Sequence, residues 1–108
     1  MDMRKIAYFL AVCEELNFTR AARRCNIAQP SLSAAIQRLE KEVGGRLFVR
    51  NVTGVQLTRL GHAVRPHFEK ITQYTEFLRK AFPKGPTAGR MRTPGRARDS
   101  RRSPSSRA

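Results

Sequence analysis

At 108 residues the chain has room for one domain and too little for two ordinary ones. Lys and Arg number 22 against 8 Asp and Glu, a formal net charge of +14, so the expected partner is a polyanion: nucleic acid or an acidic membrane surface. No stretch approaches the ~18 apolar residues of a spanning helix, and the N-terminal apolar patch, broken by Glu14 and Glu15 and without a small-residue cleavage site, does not read as a signal peptide. Two cysteines make no disulfide scaffold and are expected as reduced, buried thiols in a cytoplasmic protein.

The composition breaks at Pro83. Residues 1–82 hold every aromatic residue and every Leu, Ile and Val; residues 83–108 hold none of these and carry 8 Lys/Arg against 1 Asp. Such a segment cannot bury enough apolar surface to offset about 1–2 kcal/mol of chain entropy per residue, so 83–108 is expected to be a disordered basic tail. Pro83, Gly85 and Pro86 stop the preceding helix.

In the folded part, Ile6, Phe9, Leu10 and Cys13 fall on one face of a helix over 3–16. Thr19 is the expected N-cap of a short helix over 20–26, and Asn26 a terminator able to take left-handed dihedrals. Pro30 suits the first position of a third helix over 30–43. Leu32, Ala35, Ile36, Leu39 and Val43 form its apolar stripe. Pro30, Ser33, Ala34, Gln37, Arg38 and Lys41 form an opposite face without acid, Glu40 and Glu42 pointing to its flanks.

Gly44-Gly45 ends that helix. Residues 46–50 and 55–57 read as strands around the turn 51–54. Thr58 caps a fourth helix over 59–82, which Pro66 should kink. Val64, Phe68, Ile71, Thr75, Leu78 and Phe82 recur at heptad-like spacing; of the two covers open to them, the chain's own core and a partner helix, the partner helix is expected.

Two helices joined by a tight turn, the second with a polar, basic outer face, followed by a hairpin, read as a winged helix-turn-helix. The expected architecture is mainly α: three helices and a small hairpin wing (1–58), a long linker helix (59–82) and the tail. A helix entering the major groove needs short polar side chains near its N-terminus so that its backbone approaches base edges, and Pro30-Ser31-Leu32-Ser33-Ala34 supplies them. Free N–H groups there favour phosphate. The wing brings Arg46 or Arg50 to the adjacent DNA backbone. A polar exposed face alone would read as a solvated surface; its setting turns the reading to DNA.

The order and spacing of Phe18, Thr19, Ala21-Ala22, Gln29-Pro30-Ser31-Leu32-Ser33, Ile36, Leu39-Glu40, Gly44, Leu47-Phe48, Arg50, Leu57-Thr58 and Gly61 resemble the N-terminal DNA-binding domain of the LysR-type transcriptional regulators, over residues 1–80. The resemblance implies sequence-specific binding of double-stranded DNA, homodimers paired through the linker helix, and RNA polymerase as a further partner. The implied DNA-binding residues are Thr19, Arg20, Gln29, Pro30, Ser31, Ser33, Ala34, Gln37, Arg38, Arg50 and Thr53; the implied dimer seam is Val64, Phe68, Ile71, Leu78 and Phe82. Ala34 and Thr53 depart from the family, which often has a longer polar residue at the first position and a second wing Arg at the other. The family's larger effector-binding domain has no counterpart here, so the chain is expected to be truncated after its linker and to take no small-molecule effector.

Two other functions compete: an interaction module forming mixed oligomers with an intact regulator, and a non-specific nucleic-acid binder driven by the tail. No G-x-S-x-G, H-E-x-x-H or phosphate-binding loop is present, so no catalytic residue and no cofactor are assigned. His62 and His67 are five apart, a poor spacing for two ligands on one face, and no metal is assigned.

Overall fold

A computed structural model describes residues 1–83. All but Pro83 of the expected basic tail lies outside the described residues. The described residues fall into two units, Met1–Thr72 and a second that begins at Gln73.

In the first unit, Asp2 starts α1 (Met3–Glu15) by accepting the Lys5 N–H at 2.8 Å, a hydrogen bond that holds its carboxyl below the usual range. Leu16, at φ 50°, ends the helix. The expected cap of the next helix needs correction. Asn17, not Thr19, caps α2 (Phe18–Arg24): its extended backbone aims Oδ1 at the Arg20 N–H, 2.8 Å away. Thr19 falls inside the first turn. Asn26, at φ 60°, takes the left-handed turn expected of it.

Helix α3 (Gln29–Val43) begins one residue before the expected start, so Pro30 is its second residue. The Ala28 carbonyl accepts from the Ser31 and Leu32 N–H groups at 3.0 and 3.1 Å. The N–H that proline lacks is one the first turn leaves unpaired in any case. Gly44, at φ 97°, closes the helix in the left-handed region.

The wing is an antiparallel hairpin of β1 (Phe48–Asn51) and β2 (Gly54–Leu57), with Phe48 opposite Leu57 and Asn51 opposite Gly54. Arg46 and Leu47, expected in the first strand, precede it. The Leu47 N–H donates to the Glu40 carboxylate at 2.7 Å, and its carbonyl accepts from the Thr58 N–H at 3.0 Å, so neither group is free for a ladder. Helix α4 (Arg59–Ala81) contains Pro66 and starts at Thr58, whose Oγ1 accepts the Gly61 N–H at 3.0 Å and donates to the Arg46 carbonyl at 2.6 Å. Gly61 is buried against the backbone of Leu47.

The core joins α1, α2, α3, the wing and the start of α4. Phe9, Val12, Leu32, Leu39, Leu47 and Phe48 are its fully buried side chains. Phe9 meets Phe48 and Phe68 with ring centres 5.3 Å apart in each case, the latter pair edge to face. Phe68 therefore departs from the expected dimer seam. It is 5% exposed, because α1 covers it within the unit. Val64 also packs, partly buried, against this core. Cys13 is buried there, which pushes its thiol up to about 12, and burial also raises the half-buried Cys25.

Of the second unit, residues 73–83 are described. Tyr74, Phe77, Leu78 and Phe82 are exposed, and the Tyr74 and Phe77 rings stack with centres 6.0 Å apart. Arg79 pairs with Glu76. No helix of the described residues is long and apolar enough to cross a membrane.

Candidate nucleic-acid interface

Helix α3 separates two kinds of residue by its 100° step. Leu32, Ile36 and Leu39 turn into the core, at most 2% exposed, while Pro30, Ser31, Ala34, Gln37, Arg38 and Lys41 lie at the surface. Ser33 is half-buried at the edge of this outer face. It lines a groove of about 500 Å³ with Gln37 and Glu40 of α3, Phe18 of α2, and Arg46 and Arg50 of the wing segment.

Arg50 stands with its guanidinium carbon 4.2 Å from the centre of the Phe18 ring. A cation over an aromatic face is attracted by the ring quadrupole, so Phe18 gives Arg50 a preferred position while the residue stays exposed. Phe18 is itself held edge to face by Phe48, ring centres 6.0 Å apart. A second cleft of about 190 Å³ joins Thr19, Gln29, Arg50 and Asn51. Phe18 and Arg50 line both hollows, so the helix-turn-helix and the wing meet around one cation.

The structure thus brings together Thr19, Gln29, Ser33, Gln37 and Arg50 from the expected set. Pro30, Ser31, Ala34 and Arg38 are exposed on α3 outside both hollows. Thr53 is at the wing turn, its hydroxyl donating to Asn51 Oδ1 at 2.6 Å. Arg20, exposed at the surface, is paired with Glu15: it reaches the Glu15 carboxylate at 3.3 Å and the Glu15 carbonyl at 3.0 Å.

Glu40, expected on a flank, lines the larger groove and takes hydrogen bonds from the N–H groups of Leu47 and Phe48. Arg23, absent from the expected set, is exposed and shares a shallow hollow with Thr19 and Gln29. Nothing in the helical periodicity separates Arg23 from a solvated charge. Among the described residues no group of three or more His, Cys, Asp or Glu could hold a metal ion.

Residues 3–62 match the family described as "Bacterial regulatory helix-turn-helix protein, lysR family". The chain is 56% identical over 73 residues to the "Probable cat1 operon transcriptional activator" of Acinetobacter lwoffii, a stretch covering 68% of this chain and 23% of that protein. It is 52% identical over 63 residues to the HTH-type transcriptional regulator BudR of Klebsiella aerogenes, covering 58% of this chain and 44% of that relative. It therefore spans less than half the length of either.

Among solved structures it is similar to the BenM DBD in a complex with catB site 1 DNA, with a TM-score of 0.73 at 37% identity over 78% of this chain and 94% of that one. The CbnR DBD in a DNA complex gives 0.67 at 34% identity, over 70% of this chain and 87% of that one. The capped helices, the wing beside α3 and these matches agree: the chain belongs to the lysR family of bacterial regulatory helix-turn-helix proteins.

Proposed function

We propose that this chain is a sequence-specific transcriptional regulator that binds double-stranded DNA in a bacterial cytoplasm, with α3 in the major groove. The observation that carries this reading is the outer side of α3. Short or polar side chains lie at its N-terminal end, Arg38 and Lys41 follow, and Arg50 stands beside it over Phe18. A helix about 10–12 Å across fits a groove about 12 Å wide. Short residues there let the backbone approach base edges, and the wing cation reaches a flanking phosphate. Thr19, Gln29, Ser33, Gln37 and Arg50 are the leading contacts, with Pro30, Ser31, Ala34 and Arg38 beside them. Arg20 joins them on release from Glu15, and Thr53 through the wing.

Arg50→Ala is the first test. It should weaken binding to specific and random duplexes alike and lower the slope of log affinity against log salt by about 1, because one released counterion is lost. A titration by fluorescence anisotropy at several KCl concentrations reads this directly, and an unchanged slope removes Arg50 from the phosphate contacts.

Homodimer formation through the linker helix is part of the same reading. With Val64 and Phe68 packed on the core, the pairing rests on Ile71, which is 39% exposed, and on the residues beyond Thr72. Tyr74, Phe77, Leu78 and Phe82 are apolar or aromatic and 38–63% exposed, a composition that marks an association surface. Tyr74→Glu together with Leu78→Glu should give a monomer by light scattering at micromolar concentration, where the parent chain is a dimer. A parent chain that is already monomeric defeats the dimer assignment. Co-purification with a longer regulator would favour the mixed-oligomer reading of the same surface. RNA polymerase is the further partner proposed for the DNA-bound dimer.

A further inference from the structure

We infer that Glu40 is a positioning residue for the DNA contact: its carboxylate ties the base of the wing to α3 and thereby sets where Arg50 stands. This rests on the DNA-binding reading above. The Glu40 side chain is only 11% exposed. Its Oε2 accepts the Leu47 N–H at 2.7 Å and the Phe48 N–H at 3.4 Å, and lies 3.5 Å from Arg46 Nε. Arg46 also donates to the Phe48 carbonyl at 3.0 Å. Both bonded amides lie just before Arg50, which occupies the same strand as Phe48. One carboxylate thus fastens the strand that carries the wing cation to the helix that would read bases.

Charge makes the placement more telling. Glu40 lines the groove that would face phosphates, where an acid is repelled. The surrounding donors satisfy it, as a largely buried carboxylate requires. Positioning and mere charge then predict opposite signs. Removing an unneeded acid tightens binding to every duplex, whereas removing a positioning group loosens it.

The test uses the full 108-residue chain and a duplex that the parent chain selects from random-sequence DNA. Affinity is measured against KCl for Glu40→Ala, Glu40→Gln, Arg50→Ala and the Glu40→Ala/Arg50→Ala double variant, with circular dichroism checking the fold. Glu40→Ala should weaken binding about tenfold and lower the salt slope by about 1. The double variant should bind no more weakly than Arg50→Ala, because both remove the same contact. Glu40→Gln, which keeps an acceptor oxygen, should bind within about threefold of the parent, on the tighter side, with the parent's slope.

Additive losses, or parent-like affinity of Glu40→Ala while Arg50→Ala is weakened, overturn the inference and leave DNA binding standing. A parent-like Arg50→Ala, or no selected duplex, removes the DNA-binding reading and the inference with it. Should Glu40→Ala unfold, Glu40→Asp, whose shorter side chain draws the carboxylate back from the Leu47 and Phe48 amides, takes its place with the same expected loss, and parent-like affinity and slope of that variant overturn the assignment.

Discussion

Replacing Gly61 by alanine is expected to destabilise the first unit by about 3 kcal/mol and to lower its melting temperature by about 15 °C. A Cβ at that position would stand 2.4 Å from the carbonyl oxygen of Leu47 and 3.3 Å from its carbon. That carbonyl has little freedom to retreat. The Thr58 N–H donates to it at 3.0 Å, and the Leu47 N–H donates to the Glu40 carboxylate at 2.7 Å. The start of α4 is fixed as well, by the bond from the Gly61 N–H to Thr58 Oγ1.

Helix propensity alone would favour alanine by about 1 kcal/mol, so the sign rests on the clash being larger than that gain. Gly44 provides the contrast. No atom lies within 4 Å of a Cβ built there, and its φ of 97° leaves only a backbone cost of about 1 kcal/mol for alanine. Thermal unfolding of the two variants separates the mechanisms. A Gly61→Ala melt within about 4 °C of the parent would mean that the Leu47 carbonyl yields at little cost.

Ser33→Glu should reduce affinity for the selected duplex by about a hundredfold or more while leaving the melting temperature nearly unchanged. Ser33 is half-buried in the groove shared with Gln37, Arg46 and Arg50. The acid already there, Glu40, is matched by two backbone N–H groups and Arg46. A second acid would have to take Arg46 or Arg50 for itself, which removes a cation from phosphate and adds a like charge beside it. Ser33→Ala, which only deletes a hydroxyl, should cost about fivefold. Gel-shift titration of both variants on one duplex gives the comparison. Undiminished affinity of the Glu variant would put a different face of the domain on DNA.

Local signals carried most of the secondary structure. The apolar stripe from Leu32 to Val43, the left-handed stops at Asn26 and Gly44, and the Thr58 cap depend on residues within a turn or two of each other, and each is found where periodicity puts it. Asn17 and Thr19 show the limit of that information. Both can cap a helix, and only the extended backbone at Asn17, with Phe18 drawn into the core, decides between them.

Phe68 shows a second limit. A heptad pattern says that a helix face is covered but not by what, and the cover here is Phe9, far away in the chain. Val12, fully buried, lies off the predicted stripe because α1 packs on both α2 and α3, so its buried arc is wider than a single stripe. At the site, the residues on α3 were legible from the helical step alone. The Arg50–Phe18 contact and the Glu40–Leu47 bond depend on tertiary packing, which leaves no periodic trace.

The two sides of α3 answer to different constraints. Leu32, Ile36 and Leu39 hold the domain together, while Ala34, Gln37, Arg38 and Lys41 meet solvent. Substitutions among such exposed residues usually alter stability by no more than about 0.5 kcal/mol. On the proposed DNA-binding reading, a lineage can therefore acquire a new recognition code stepwise, with every ancestor along the route still folded. For laboratory recoding on the same reading, Ala34, Gln37 and Arg38 are the positions to randomise on an otherwise unaltered scaffold.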